Sequence, residues 1–265
     1  MNKLRFVKWL VSGLILICFV PMLFQAPVVE IEEPSPEMAI MVVVSPKPKP
    51  AQTSNPSPTP SPKPEQTPIN TKYFEQLRRE YDNDDIVGYL KIEGTSIDYP
   101  VVQSEDNFYY LDYNIYKEED VAGWVFLDYE NDTARDDPNT IIYAHNMRKD
   151  IMFHSIRHYT SKEYFENHRY ITFNTEYADQ TWEIFSFYST LVDLNEFNYI
   201  QVFFESHDDF VNLLTEMKSK SMYDTGVEIY PDDRVLVLST CVGGAATDER
   251  YVVNARLVDL PQGAQ

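Results

Sequence analysis

The chain has 265 residues, 22 of them basic and 42 acidic, for a formal charge of −20 at pH 7. A surplus of negative charge on this scale repels a phosphate backbone and excludes nucleic acid as a partner. The acidity lies in residues 70–265, which hold 16 basic and 37 acidic side chains, so the first 69 residues are a region of different character.

The N-terminal stretch Phe6 to Phe24 is apolar apart from Lys8, Ser12 and Gly13. As a helix, its 19 residues would extend roughly 28 Å, close to the thickness of a bilayer core. Lys3, Arg5 and Lys8 on its leading side predict a cytoplasmic N-terminus for residues 1–5, a single span over 6–24, and the rest of the chain outside. The alternative is a cleaved signal peptide, but Phe24, Gln25 and Ala26 offer no small-x-small cleavage pattern, which favours an uncleaved signal-anchor. Residues 25–69 follow, with nine prolines between Ser45 and Pro68 among Ser, Thr, Lys and Gln. Such a composition cannot bury apolar surface and favours extended polyproline II, so the segment reads as a disordered stalk that could reach up to about 75 Å.

From residue 70 the pattern is that of a folded domain running to 265. Tyr73, Phe74, Leu77 and Tyr81 recur at helical spacing and predict an amphipathic helix over Thr71 to Tyr81. Eight short runs rich in β-branched and aromatic residues follow: 87–92, 97–102, 123–127, 140–144, 170–173, 181–190, 234–240 and 251–258. Between the sixth and seventh, Ser206 and Asp209 form a capping-box pattern before an apolar face of Phe210, Val211, Leu214 and Met217, which predicts a helix. Shorter helical turns are expected at 151–156 and 161–167. The expected fold is therefore all-β, an eight-stranded barrel or sandwich with peripheral helices.

There are two cysteines, Cys18 within the apolar N-terminal run and Cys241 in the folded domain, so no disulfide is expected and Cys241 should be a free thiol. It ends the apolar run that begins at Arg234, and small residues from Gly243 to Ala246 follow. A thiol is a poor nucleophile at neutral pH unless a histidine or cation raises its thiolate fraction. Of five histidines, His145 alone stands, like Cys241, where a strand-like run gives way to a loop. His154, His158, His168 and His207 are read as solvated surface positions. Acyl transfer also needs a donor for the developing oxyanion, and Arg250 opens the next strand. Arg256, six residues on, falls on the same face about 20 Å away, too far to share the site.

These residues resemble the sortases, the cysteine transpeptidases of Gram-positive cell surfaces, and most closely their class B. The resemblance rests on Leu238-Ser-Thr-Cys241, on Tyr143-Ala-His-Asn-Met147, and on Arg250-Tyr-Val-Val-Asn-Ala. Asp98-Tyr-Pro-Val-Val-Gln, Glu105-Asp-Asn, Phe126-Leu-Asp and the helical insertion before the cysteine strand extend it over about Asp85 to Val258. It departs from the usual pattern at Val237 and Val242. The resemblance implies a sortase-type barrel in which Cys241 attacks the threonine carbonyl of a C-terminal sorting signal, His145 is acid and base, and Arg250 holds the oxyanion. It also nominates Asn107, Tyr199, Ile200 and Ser239 as substrate-groove walls. Implied partners are sorting-signal-bearing surface proteins and an amine of a peptidoglycan precursor or a pilin lysine. No cofactor is implied. A calcium loop at Asp128–Asp132 is rejected because Thr133 stands where glycine is required, and this segment is read as a solvated turn, like Glu118–Asp120. Two other functions fit the same residues less fully: a hydrolase that releases surface proteins, and a non-catalytic surface-binding module with Cys241 as a core residue.

Overall fold

The computed structural model describes residues 66–191, 197–242 and 248–258. The span expected over residues 6–24, Cys18 and nearly all of the stalk lie outside them. Among the described residues no helix is long and apolar enough to cross a membrane.

Helix α1 (Thr71–Tyr81) forms where expected and buries Phe74 and Leu77. It ends at Asp82, which takes a left-handed conformation with φ 49° and sends its N–H back to the Arg78 carbonyl. Eight strands follow: β1 (Ile86–Lys91), β2 (Asp98–Val102), β3 (Phe126–Leu127), β4 (Asn139–Tyr143), β5 (Tyr170–Thr175), β6 (Thr181–Leu191), β7 (Val235–Cys241) and β8 (Glu249–Val258). They close into a barrel in the order β1-β2-β3-β4-β7-β8-β6-β5. Closure pairs every strand on both sides and leaves no open sheet edge.

The expectations for the strands hold in number and order, with one contraction. A strand was expected from residue 123, yet β3 is only two residues long. Gly123 has φ +54°, and a Cβ there would strike the Tyr110 carbonyl, so the chain is still turning at that point. The peripheral helices are α2 (Tyr109–Asp112), which sequence periodicity did not reveal, a 3₁₀ helix (His154–Thr160), α3 (Lys162–Asn167) and α4 (His207–Ser219). Helix α4 starts with the expected capping box, Ser206 and Asp209 each bonding the other's backbone. It buries Phe210, Leu213, Leu214 and Met217, the i, i+3, i+4, i+7 stripe of a helix packed on one face.

Alternation along β7 separates two apolar regions. Leu236 and Leu238 point into the barrel with Ile142, Trp182, Phe187, Val253 and Ala255. Val235 and Val237 point outward into a second cluster with Ile141, Tyr188, Val252, Tyr199 and the buried face of α4. The insertion between β6 and β7 therefore covers the outside of the barrel wall formed by β4, β7 and β8. That wall carries the site.

Two expectations for polar segments are corrected. Asp128 is 2 % exposed rather than solvated, because its carboxylate accepts hydrogen bonds from Asn107 Nδ2, the Tyr143 hydroxyl and the Glu130 N–H. Asn131 and Asp137 in the same turn are buried in a similar network. Among the histidines, His154 and His168 are half-buried, not solvated; the His168 ring stacks on Tyr164 and its Nδ1 bonds the Tyr164 carbonyl at 2.8 Å.

Candidate active site

Strand direction assembles the site. Strands β4 and β7 run parallel, with Tyr143 opposite Ser239. Their C-terminal ends therefore coincide, and two residues further on His145 comes opposite Cys241. Strand β8 runs antiparallel to β7, so it begins where β7 ends, and Arg250 is the direct cross-strand partner of Cys241. The Val242 N–H donates to the Glu249 carbonyl at 2.9 Å. That pattern makes Cys241 and Arg250 a non-hydrogen-bonded pair, the closer type, with Cα atoms roughly 4.5 Å apart. By alternation Cys241, Ser239, Arg250, Tyr143 and His145 all lie on the outer face of the wall, on the side covered by the insertion.

Both strands run slightly further than expected: β7 includes Cys241, one residue past the expected end at 240, and β8 starts at Glu249, ahead of the expected 251. Both side chains are thus held by paired backbone. Arg256 lies at the far end of β8, opposite Val235, and pairs with Glu183 at 3.2 Å; it stands apart from the site, as expected from its spacing.

The imidazole of His145 is held from behind. Its Nε2 lies 2.8 Å from the carbonyl oxygen of Leu111 in α2. A carbonyl can only accept, so Nε2 carries the proton and Nδ1 is the nitrogen left for the thiol. The interaction with Cys241 holds the His145 pKa above its usual value against the opposing effect of burial, and the Leu111 bond and the Asp112 charge add to the rise. The Cys241 pKa is correspondingly depressed, first by hydrogen bonding to His145 and then by the Arg250 charge, again against burial. Both shifts favour a thiolate–imidazolium pair. Cys241 is free and half-buried, an environment in which a thiol can be reached.

The backbone of Cys241 is also fixed. Asn146 Nδ2 donates to the Cys241 carbonyl at 2.9 Å, and Asn146 Oδ1 faces His154 Nδ1 at 3.0 Å. Asn146 thus extends the β4–β7 pairing one step beyond the strands. The Phe153 N–H donates to the His145 carbonyl at 3.0 Å, closing the loop that follows.

Of the four expected groove residues, Ser239 and Tyr199 meet directly, hydroxyl to hydroxyl at 3.0 Å, both buried. Burial raises the Tyr199 pKa, and the nearby Ser239 hydroxyl and Arg250 charge work against the rise. Ile200 packs beside Tyr199 on the insertion cluster. Asn107 is less close: it bonds Asp128 and the Tyr129 N–H, and it joins the site through Tyr143, whose hydroxyl shares the same Asp128 oxygen. Three contributors escaped the sequence reading. The Leu111 carbonyl acts through backbone from a one-turn helix, His154 looked like a surface residue, and Asn146 was visible only as the neighbour of His145.

A free cysteine flanked by a histidine and an arginine at the ends of three adjacent barrel strands is the arrangement that the comparisons with known proteins bear on. The family model of the sortase domain matches residues 90–258. The chain belongs to the sortase family. Sortase B of Listeria monocytogenes is 39% identical over 194 residues, covering 72% of this chain and 78% of that protein. The structure of a Staphylococcus aureus sortase B–substrate complex is similar with a TM-score of 0.63 at 31% identity, covering 72% of this chain and 93% of that one. A sortase B complexed with triglycine gives a TM-score of 0.67 at 33% identity, over 72% of this chain and 88% of that one. The relatives place the chain in class B. It is accordingly an enzyme, a cysteine transpeptidase of cell-wall sorting that works at the cell surface.

Proposed function

We propose that Cys241 is the nucleophile, His145 the proton carrier and Arg250 the oxyanion donor of a two-step transfer on a C-terminal sorting signal. The observation that carries this reading is the register: Arg250 is the antiparallel cross-strand partner of Cys241, and the parallel β4–β7 ladder, which ends with Tyr143 opposite Ser239, delivers His145 two residues on to the same strand end. In the first step the Cys241 thiolate attacks the threonine carbonyl of the signal. The negative charge that develops on the carbonyl oxygen meets the Arg250 guanidinium. The C–N bond then breaks, the His145 imidazolium gives its proton to the departing amine, and a thioester remains on Cys241. In the second step an amine attacks that thioester, loses a proton to His145 and releases the thiolate.

Ser239, Tyr199 and Ile200 wall the groove that receives the signal, with Asn107 further out. Sortase B structures described with a substrate and with triglycine support a peptide donor and an amine acceptor for this chain as well. The acceptor is an amine of a peptidoglycan precursor or, in the alternative, a pilin lysine. The apolar stretch 6–24 anchors the enzyme with its N-terminus inside, and the proline-rich 25–69 holds the domain, 70–265, away from the outer membrane face. External protease should therefore digest the domain of intact cells and spare residues 1–5; a protected domain would reverse the topology.

The test of the chemistry is to incubate the full chain with five-residue sorting peptides and then add an amine. A transpeptidase gives ligated product. A releasing hydrolase gives only free acid at an unchanged rate.

A further inference from the structure

The hydrogen-bond ladder between β4 and β7 does not stop where the strands do. Its last backbone step is the Ala144 N–H donating to the Ser239 carbonyl at 3.4 Å. In a parallel pair the next step falls two residues on, from residue 146 to the Cys241 carbonyl. There the donor is the Asn146 side chain, whose Nδ2 lies 2.9 Å from that carbonyl. The backbone of Asn146 has already turned to bridge Met152.

A carboxamide serves this step in only one of its two orientations. The Cys241 carbonyl accepts, so Nδ2 must face it, and Oδ1 then faces His154 Nδ1 at 3.0 Å. Oδ1 accepts in turn, so Nδ1 carries a proton whether the imidazole is neutral or charged. His154 is thus the group that tells the two ends of Asn146 apart. With the amide flipped, Oδ1 would lie against the Cys241 carbonyl, two acceptors in contact. The residue before His154 grips the residue before Asn146, because the Phe153 N–H donates to the His145 carbonyl at 3.0 Å. The dipeptide Phe153–His154 therefore holds His145–Asn146 by one backbone bond and one side-chain bond, and through Asn146 it reaches Cys241. The grip is anchored: Phe153 and Ile156, at the start of the 3₁₀ helix, are fully buried in the barrel-interior cluster.

We propose that His154 is a positioning residue for the transfer reaction: it orients the Asn146 amide, and with Phe153 it holds the Cys241 backbone and the His145 imidazole at one separation. The inference rests on the transpeptidase reading and adds to it a residue that acts through another. Hydrogen bonding from His145 is the first cause of the low Cys241 pKa, so a slackened clamp should let that pKa rise.

In the full chain, His154→Ala should lower kcat for thioester formation about tenfold and leave KM for the sorting peptide within about twofold. The midpoint of Cys241 alkylation by iodoacetamide against pH should move upward. His154→Phe, which keeps a ring but lacks the donor, should behave like His154→Ala and so separates the lost bond from the lost volume. His154→Asn, whose Nδ2 stands in for Nδ1, should bring both readings back towards those of the parent. All three replacements are uncharged, so the neighbouring His158, Asp120, Arg148, Lys149 and Arg157 act on them alike. Adding His154→Ala to Asn146→Ala should cost no more than Asn146→Ala alone, because the two residues lie on one chain of bonds. Unmoved kcat and midpoint in the Ala and Phe variants, an Asn variant as impaired as they are, or losses that add in the double variant would overturn the proposal. A midpoint that moves with Ala and returns with Asn, in a chain that forms no thioester, keeps the clamp and loses the transpeptidase reading. Thioester formation indifferent to His154 does the reverse.

Discussion

Cys241 and His145 shift each other's protonation in the directions that favour the ion pair, and this has a measurable sign. The thiol pKa is lowered and the imidazole pKa raised, so activity should rise as Cys241 deprotonates and fall as His145 loses its proton, with the two limbs belonging to the coupled pair. Replacing His145 with Gln removes the largest cause of the thiol shift. Alkylation of Cys241 by iodoacetamide, followed against pH, should then show its midpoint displaced upward; an unmoved midpoint would mean that the imidazole does not set the thiol. The two arginines of β8 separate in a similar way. Arg250→Ala should lower kcat by on the order of 10² to 10³, the usual cost of a lost oxyanion donor, with little change in melting temperature. Arg256→Ala should leave kcat close to that of the parent and lower the melting temperature, because it breaks the contacts to Glu183 and Asp233 far from the site. Asn146 acts one step back, by holding the Cys241 carbonyl. Asn146→Ala should reduce kcat for thioester formation roughly tenfold while KM for the peptide stays within about twofold, as expected of a residue that positions the nucleophile rather than the substrate.

At the scale of elements, the insertion between β6 and β7 stabilises the wall. Met217 of α4 is fully buried against it, and truncation to Ala should cost about 2–5 kcal/mol, read from chemical denaturation. Tyr199→Phe removes one buried hydrogen bond to Ser239, a loss of roughly 1 kcal/mol, and should raise KM for the sorting peptide more than it lowers kcat. The elements differ in how legible they were. Helix α4 and its capping box could be read directly, because Ser206, Asp209 and the apolar stripe are local signals. The order and number of strands were legible for the same reason. Helix α2 was not: its four residues are too few to show a period, and its contribution, the Leu111 carbonyl, carries no side-chain signal. The two-residue β3 was over-read, because Trp124 and Val125 look like strand residues until Gly123 and the Tyr110 carbonyl fix the turn. Asp128 was misread as solvated because its partners, Asn107 and Tyr143, come from separate parts of the chain.

At the scale of the whole molecule, the site is a property of barrel closure. His145 precedes Cys241 by nearly a hundred residues, and only the parallel pairing of β4 with β7 brings them side by side. The chemistry was legible from residue types at strand ends together with the family resemblance, while the pairing that unites them needed the structure. The measurement that bears most directly on this account is the intact mass of the full chain after incubation with sorting peptides. We expect one addition equal to the peptide fragment ending at threonine, located on Cys241, absent in Cys241→Ala and discharged by an added amine as ligated product. No addition with any such peptide, or an addition at a residue other than Cys241, would contradict it.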